Sequence, residues 1–121
     1  NKLISNISFF KNFTPESYIK LICNCECLVG NSSSGIRESS FLSIPVVNIG
    51  SRQKNREQGF NVINVSYNKN KIYNAILKQR NSKKIRKSNV YGDGFASKKI
   101  VKILTKILKE KISIEKELNY L

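Results

Sequence analysis

The fold of this chain is constrained most by residues 28–52, which read as a strand, a turn of small residues, a helix and a second strand. An apolar run at 27–29 leads into six small residues, GNSSSG, at 30–35. A helical pattern begins at Ile36 and stops before Pro45, and a β-branched run then ends at Gly50. In such a unit the turn lies at the carboxyl end of the first strand and at the amino end of the helix.

The turn at residues 30–35 is suited to binding a phosphate group. The first N–H groups of a helix have no partner within the helix, and the helix dipole places partial positive charge there. Small side chains let an anion approach those N–H groups, and serine hydroxyls add further donors. Serine, asparagine and glycine are also ordinary turn and capping residues, so composition alone leaves both interpretations open.

Two charged residues strengthen the phosphate interpretation. Glu38 would lie about one turn into the helix, where its carboxylate could accept hydrogen bonds from a ribose diol. Arg52 follows the next strand, so its guanidinium would emerge at the same edge of the sheet. The alternatives are a glutamate that favours the positive end of the helix and an arginine that is simply solvated.

The order of these residues closely resembles that of the UDP-N-acetylglucosamine 2-epimerases. The segments that carry the resemblance are GNSSSGIRE at 30–38, IPVVNIGSRQ at 44–53, NRE at 55–57, NVI at 61–63 and YGDG at 91–94. Together they cover most of residues 7–108, and the Asn-Ser-Ser-Ser-Gly turn is typical of the hydrolysing branch. The chain departs from the family pattern at Ser43, where a glycine is expected, and at Phe60, where an acidic residue is expected.

The resemblance implies a fold and a place for the chain within it. The family has two Rossmann-like domains of the GT-B type, with the active site in the cleft between them. Residues 1–121 would form an incomplete C-terminal nucleotide-binding domain, an α/β fold with a parallel sheet and helices on both faces. The absence of methionine and the start at Asn1 also favour an internal or carboxy-terminal piece of a longer protein.

The resemblance also implies a UDP-binding site. The diphosphate would be bound by two serines with backbone help from the next two residues, and the ribose hydroxyls by a carboxylate. An arginine would lie near the phosphates or the nucleotide end, and backbone would meet the uracil. The residues are, in that order, Ser32 and Ser33 with Ser34 and Gly35, then Glu38, Arg52 and Phe13.

The reaction implied by the resemblance is loss of UDP across C1–C2 of UDP-N-acetylglucosamine, followed by addition of water to give N-acetylmannosamine for sialic-acid-type surface sugars. Removal of the C2 proton needs carboxylates or a histidine at the sugar. The chain has no histidine and only eight acidic residues, none in an evident acid–base pair near the turn. We therefore expect leaving-group binding by Ser32, Ser33 and Arg52. We expect no catalytic residue in the chain and no activity of the chain alone.

We expect neither a metal nor another cofactor. Cys23, Cys25 and Cys27 alternate, whereas paired zinc ligands are usually two to four residues apart, and no histidine could complete a mixed site. Reduced, mostly buried thiols in a cytoplasmic protein are the favoured interpretation. The expected partners are a UDP-sugar and the remaining domain of the same protein, within a homo-oligomeric full-length enzyme. No membrane is expected, because no apolar run approaches the roughly 20 residues of a span.

Three alternatives remain open. An epimerase for another UDP-sugar, such as a diacetamido sugar, would share these motifs. A glycosyltransferase with the same two-domain plan is disfavoured by the run NIGSRQ at 48–53. The third alternative is a basic nucleic-acid-binding module. It is suggested by the net charge of +14 and by the 14 Lys and Arg against two Asp and Glu at 69–111. Lysine outnumbers arginine 17 to 5 and few aromatics interleave with the basic residues, and both features argue against that class.

Periodicity predicts the remaining elements. Strands are expected at 7–13 and 61–65, and helices at 15–24, at 69–80 and from about Ala96 onward. Thr14 and Pro15 are typical of a helix start, and residues 91–94 of a turn. Residues 81–89 are expected to be a basic connector, and 112–121 an extension of the last helix or a frayed end.

Overall fold

The computed structural model describes residues 6–82 and 85–110 of the chain. The chain divides into two compact units, of which the first ends at Tyr91 and the second begins at Gly92. The first unit contains α1 (Pro15–Cys23), β1 (Leu28–Gly30), a 3₁₀ helix (Ser33–Gly35), α2 (Glu38–Leu42), β2 (Val46–Ile49), β3 (Val62–Val65) and α3 (Lys69–Arg80). The second unit contains α4 (Ala96–Glu110).

The three strands form one parallel sheet in the order β1-β2-β3. Leu28 is in register with Val46, which is in register with Val62. Because the strands are parallel, their carboxyl ends lie at one edge of the sheet, and the segments that follow β1 and β2 begin there. The predicted α/β class with a parallel sheet is confirmed, and this topology sets the turn at 30–35 beside the loop at 50–59.

The apolar core is centred on β2. Val46 and Val47 are 2% and 0% exposed, although adjacent residues of a strand point to opposite faces of the sheet. Both faces of β2 are therefore covered, as is typical of the central strand of a parallel sheet. On one of them the 3₁₀ helix passes so close that a Cβ added to Gly35 would lie 3.2 Å from Val46 Cγ1.

Two buried side-chain amides fasten helices to the amino edge of the sheet. On α3, Nε2 of Gln79 donates to the backbone carbonyls of Val46 and Asn61, at 2.7 Å each. Nδ2 of Asn61 donates to the Ser39 hydroxyl at 3.0 Å and to the Ile44 carbonyl at 2.8 Å. Buried backbone carbonyls need hydrogen-bond donors. These amides supply donors to carbonyls just before, or at the first residue of, the strands.

The predicted strand at 7–13 is wrong. The structure gives these residues no regular secondary structure, and Phe9 and Phe10 are 86% and 65% exposed. A strand is stabilised by pairing with a neighbour, and none of the described strands pairs with this segment. Phe13 therefore lies in an irregular segment before α1, not at the end of a strand.

The helix predicted to begin at Ile36 and to stop before Pro45 is shorter and begins later than expected. The 3₁₀ helix comes first, and α2 begins only at Glu38. Serine hydroxyls compete with the backbone in this segment: Ser39 Oγ donates to the Gly35 carbonyl at 2.6 Å and Ser40 Oγ to the Arg37 carbonyl at 2.9 Å. Side-chain bonds of this kind offer the backbone an alternative to regular helical pairing.

The other elements agree closely with the sequence. The Thr14 hydroxyl caps α1 by accepting from the Ser17 N–H, and α3 has the predicted bounds, with Ala75 and Gln79 buried. Residues 81, 82 and 85–89 form an irregular connector, as expected. The segment 112–121 lies outside the described residues.

The cysteines differ in part from expectation. All three are free thiols, but Cys23 is exposed because it ends α1 on the solvent side, so a mostly buried set is wrong for that residue. Cys25 and Cys27 are half-buried, and this burial raises the pKa of both thiols.

In the second unit, a turn precedes an amphipathic helix. Gly92 and Gly94 adopt φ values of 114° and 85°, which glycine tolerates best, so the predicted turn is confirmed. Asp93 Oδ1 accepts from the Phe95 N–H at 3.1 Å, and Oδ2 accepts from Lys99 Nζ at 2.6 Å. No helix in the described ranges combines the length and apolar character needed to cross a membrane.

Gln79→Leu should lower the free energy of unfolding by about 2 kcal/mol, because the carbonyls of Val46 and Asn61 lose a buried donor. Urea denaturation followed by circular dichroism measures this change. Asn74→Leu alters an exposed position of the same helix and should change the value by less than about 0.5 kcal/mol. Equal stability of the two variants would show that the amide does not fasten α3.

The pKa of Asp93 should lie below the ordinary aspartate value of about 3.9, because the Lys99 ammonium and the Phe95 N–H bond its charged form. The carboxylate thus stabilises the start of α4 at neutral pH, and this stabilisation is lost as the pH falls through the lowered pKa. Carboxyl-carbon NMR during an acid titration gives the pKa directly. Lys99→Gln should raise it and Lys102→Gln should not; equal values in all three proteins would refute the pairing.

Candidate functional site

The candidate site lies at the carboxyl edge of the sheet, where the turn after β1 and the loop after β2 begin. Gly50 at the end of β2 has a φ of 80°, and a Cβ there would collide with the Tyr67 ring. Glycine is therefore needed where β2 passes into the loop that carries Arg52.

The turn after β1 is held by its own serines and by α1. Ser32 Oγ accepts from the Ser34 N–H at 3.3 Å, and the Ser32 carbonyl accepts from the Gly35 N–H at 3.2 Å. The Tyr18 hydroxyl donates to Ser34 Oγ at 2.9 Å, so α1 supports the turn from the other side. The sequence predicted the helix but not this contact, because a bond to a residue 16 positions away has no local signal.

The exposed serine side chains give this turn two hydroxyl donors. Ser32 and Ser33 are exposed, and the Ser33 side chain makes no hydrogen bond to another described residue. The N–H groups of Ser34 and Gly35 are already engaged within the turn, at the long end of the hydrogen-bond range. The Ser32 and Ser33 hydroxyls are therefore available to an anion at this turn.

Glu38 and Arg52 are both exposed, and neither forms an ion pair within the described parts of the chain. Glu38 is the first residue of α2, where the helix dipole favours a carboxylate. Arg52 lies in the loop directly after β2. Both charges are thus available to a ligand at the carboxyl edge.

Phe13 belongs to an aromatic group beside α1. Its ring lies 4.8 Å from that of Phe10 and 6.5 Å from that of Tyr18, measured between centroids. Tyr18 in turn reaches Ser34, so Phe13 lies on the α1 side of the turn. The Phe13 N–H donates to Asn12 Oδ1 at 2.9 Å.

Gln53 joins the turn and the loop, and sequence reasoning assigned it no role. Its Nε2 donates to the Asn31 carbonyl at 2.8 Å. The bond ties the residue after Arg52 to the residue before Ser32. The one sequence signal was the place of Gln53 in the NIGSRQ run.

The far end of the loop is held by Tyr91. Its hydroxyl donates to the Glu57 carbonyl at 2.6 Å, and the Arg37 guanidinium lies 5.7 Å from the centroid of its ring. The first residue of the YGDG segment therefore connects the loop with the residue before α2.

An open cleft of about 650 Å³ follows the loop and the ends of β2 and β3. Its walls combine two cations, Lys54 and Arg56, with the side chains of Gln58, Asn64 and Tyr67. Together with the serine turn, this edge presents hydroxyls, amides and unpaired positive charge. Such groups bind anions, and Glu38 adds an acceptor for ligand hydroxyls.

Comparison with known proteins gives the same family as the motifs. The sequence profile described as UDP-N-acetylglucosamine 2-epimerase matches residues 1–105. The chain is 36% identical over 102 residues to UDP-N,N'-diacetylbacillosamine 2-epimerase (hydrolyzing) of Legionella pneumophila, covering 84% of this chain and 27% of that protein. It is 36% identical over 67 residues to UDP-N-acetylglucosamine 2-epimerase of Neisseria meningitidis, covering 55% and 18%.

A third relative is GDP/UDP-N,N'-diacetylbacillosamine 2-epimerase (hydrolyzing) of Campylobacter jejuni, with 42% identity over 59 residues, 49% of this chain and 15% of that protein. The chain thus spans between 15% and 27% of the length of these relatives. The family match confirms the resemblance read from the serine turn and the NIGSRQ run: this chain belongs to the UDP-N-acetylglucosamine 2-epimerase family.

Proposed function

We propose that this chain binds the UDP part of the substrate of a hydrolysing UDP-N-acetylglucosamine 2-epimerase, which converts UDP-N-acetylglucosamine to N-acetylmannosamine and UDP. The observation that carries the proposal is the bond between Gln53 and Asn31. It joins the segment that bears Ser32 and Ser33 to the segment that bears Arg52. Two hydroxyl donors and a guanidinium are thereby brought to one edge of the sheet.

The proposed roles follow from what each group can donate or accept. Ser32 and Ser33 donate to the diphosphate, with Ser34 and Gly35 shaping the turn, and Arg52 neutralises the phosphate charge. The Glu38 carboxylate accepts from the ribose hydroxyls, and the Phe13 backbone meets the uracil. As UDP departs with its electron pair, negative charge grows on the diphosphate, and donors already in place stabilise that charge.

The proton chemistry is proposed to lie outside this chain, in a part of the protein that corresponds to the rest of its relatives' length. Loss of UDP from C1 requires a base at the C2 proton. The acidic residues in the segments at this edge are Glu38, which is assigned to ribose, and Glu57, so that one carboxylate remains and no acid–base pair is available. A cytoplasmic location fits the three free thiols.

A diacetamido UDP-sugar is the second candidate substrate. The relative that covers 84% of this chain bears the name of a UDP-N,N'-diacetylbacillosamine 2-epimerase. Both candidates carry the same UDP group, so the roles proposed for this chain are the same for either. Turnover of the two sugars by the protein at its full length would decide between them.

Ser33→Ala and Glu38→Ala should each weaken UDP binding about tenfold, the effect of one lost hydrogen bond to a charged group. Isothermal calorimetry with UDP on the 121-residue chain measures the change. Ser97→Ala, at an exposed serine in α4, and Glu16→Ala, at a first-turn glutamate of α1, are matched controls that should bind as wild type does.

Equal affinity in all five proteins would place any UDP site elsewhere. A folded chain that binds no UDP at millimolar concentration would contradict binding by this chain alone. Recovery of binding in the chain extended to the length of its relatives would then assign the missing contacts to the added part.

The 121-residue chain should release no UDP from UDP-N-acetylglucosamine, because it brings no acid–base pair to the sugar. A coupled assay for free UDP, run beside a homologous full-length hydrolysing epimerase as the positive control, tests this. Turnover that persists after further purification would show that the acid–base residues are within this chain.

A further inference from the structure

Gln53 is a buried side chain in the segment 51–57, whose other residues are exposed. It is 2% exposed, whereas Arg52 and Lys54 on either side of it are exposed. An amide is buried stably only where it gains hydrogen bonds in place of those with water. The inward orientation of Gln53 therefore depends on the partner that it finds there.

That partner is the Asn31 carbonyl, at 2.8 Å from Nε2. The orientation of the amide follows from the chemistry, since the reversed amide would bring two oxygen atoms together. Oε1 is buried with no hydrogen-bond partner among the described residues, so the bond to Asn31 is the polar contact that holds the side chain inside.

The bond acts at the start of the turn. Farther along, the Ser32 carbonyl accepts from the Gly35 N–H at 3.2 Å, and the Ser33 carbonyl accepts from the next two N–H groups of the helical segment at 3.0 and 2.9 Å. The Tyr18 hydroxyl bonds the turn at Ser34. Gly30, the residue before Asn31, has a φ of 154° and open space around it. Without Gln53, the segment between Gly30 and Ser33 would have no hydrogen bond to the loop after β2 within the described parts of the chain.

We propose that Gln53 is a positioning residue that sets the distance between the Ser32 and Ser33 hydroxyls and the Arg52 guanidinium, and thereby prepares the turn for the diphosphate. This inference rests on the proposed function. Gln53 itself touches no part of UDP; it acts through the Asn31 carbonyl. Glu38 is outside its influence, because α2 is held separately by the bond from Asn61 to Ser39.

Gln53→Met tests the proposal, because methionine keeps the length and approximate volume of glutamine and removes the donor. UDP affinity should fall about tenfold, with the unfolding temperature of the free chain changed little. The informative measurement is a pair of double-mutant cycles with UDP, one combining Gln53→Met with Ser33→Ala and the other combining it with Glu38→Ala.

The two cycles should differ. In the Gln53→Met background, Ser33→Ala should cost less than about twofold, since Ser33 is already misplaced, whereas Glu38→Ala should keep its full cost of about tenfold. A residue that only stabilised the fold would give additive costs in both cycles, and that result would overturn the proposal.

Failure of the two proposals can be told apart. If wild type binds no UDP, the proposed function of this chain fails and the inference falls with it. If wild type binds UDP and both Ser33→Ala and Glu38→Ala weaken binding, but Gln53→Met does not, the inference alone is wrong.

If Gln53→Met does not fold, NMR on the wild-type chain keeps the proposal testable. The side-chain amide signals of Gln53 should shift when UDP is added. Those of Gln79, a buried amide at the opposite edge of the sheet, should not shift. Unmoved Gln53 signals in the presence of bound UDP would contradict the proposal.

Discussion

Hydrogen bonds from buried side-chain amides to backbone carbonyls are the interactions on which this small sheet depends. Its strands have only three or four residues each, so much of their backbone lies close to a strand end. At the amino edge, Gln79 and Asn61 donate three bonds to backbone carbonyls and a fourth to the Ser39 hydroxyl. At the carboxyl edge Gln53 makes one such bond. The amino edge is thus fastened to two helices, whereas at the carboxyl edge the described residues join the two segments by this one hydrogen bond. The groups proposed to bind the ligand lie at that second edge.

This difference between the edges agrees with the charges of the molecule. Arg52, Lys54 and Arg56 emerge in succession at the carboxyl edge, and none of them pairs with a carboxylate in the described ranges. Exposed cations left unpaired raise the local concentration of an anionic ligand, and a net charge of +14 extends that attraction beyond contact distance. Salt weakens such an attraction, whereas the short-range bonds from a fixed serine turn depend on geometry. Capture and orientation of a nucleotide diphosphate would thus rest on different groups of the same edge.

The sequence was informative where a pattern is local. Alternating and β-branched runs predicted β2 and β3, and helical periodicity predicted the bounds of α3 and the start of α4, because burial in these elements repeats along the chain. The small residues and the family motifs placed the serine turn at the correct edge. The strand expected at 7–13 failed because a strand depends on a neighbour, and the late start of α2 reflects serine side chains that compete for backbone carbonyls. Gln53 had no assigned role, because a polar residue between two charged residues is typical of an exposed segment. Its burial depends on a carbonyl 22 residues away, for which the sequence has no local pattern. The roles proposed for Phe13, Glu38 and Arg52 still depend on the resemblance as much as on the geometry.

The proposed division of the reaction follows from which bonds change and where. Elimination from a UDP-sugar breaks the C1–O bond and the C2–H bond, so the departing diphosphate and the departing proton need groups of opposite character. A carboxylate placed among Arg52, Lys54 and Arg56 would be stabilised in its charged form by those cations. It would therefore bind a proton less readily and be a weaker base. The same cations favour the charge that grows on UDP. A surface that is good at stabilising the leaving group is therefore a poor place for the base, and two separate surfaces that meet at the sugar satisfy both requirements. If the carboxyl edge stabilises the leaving UDP as proposed, an acid–base pair is expected on the opposing surface and not in this chain.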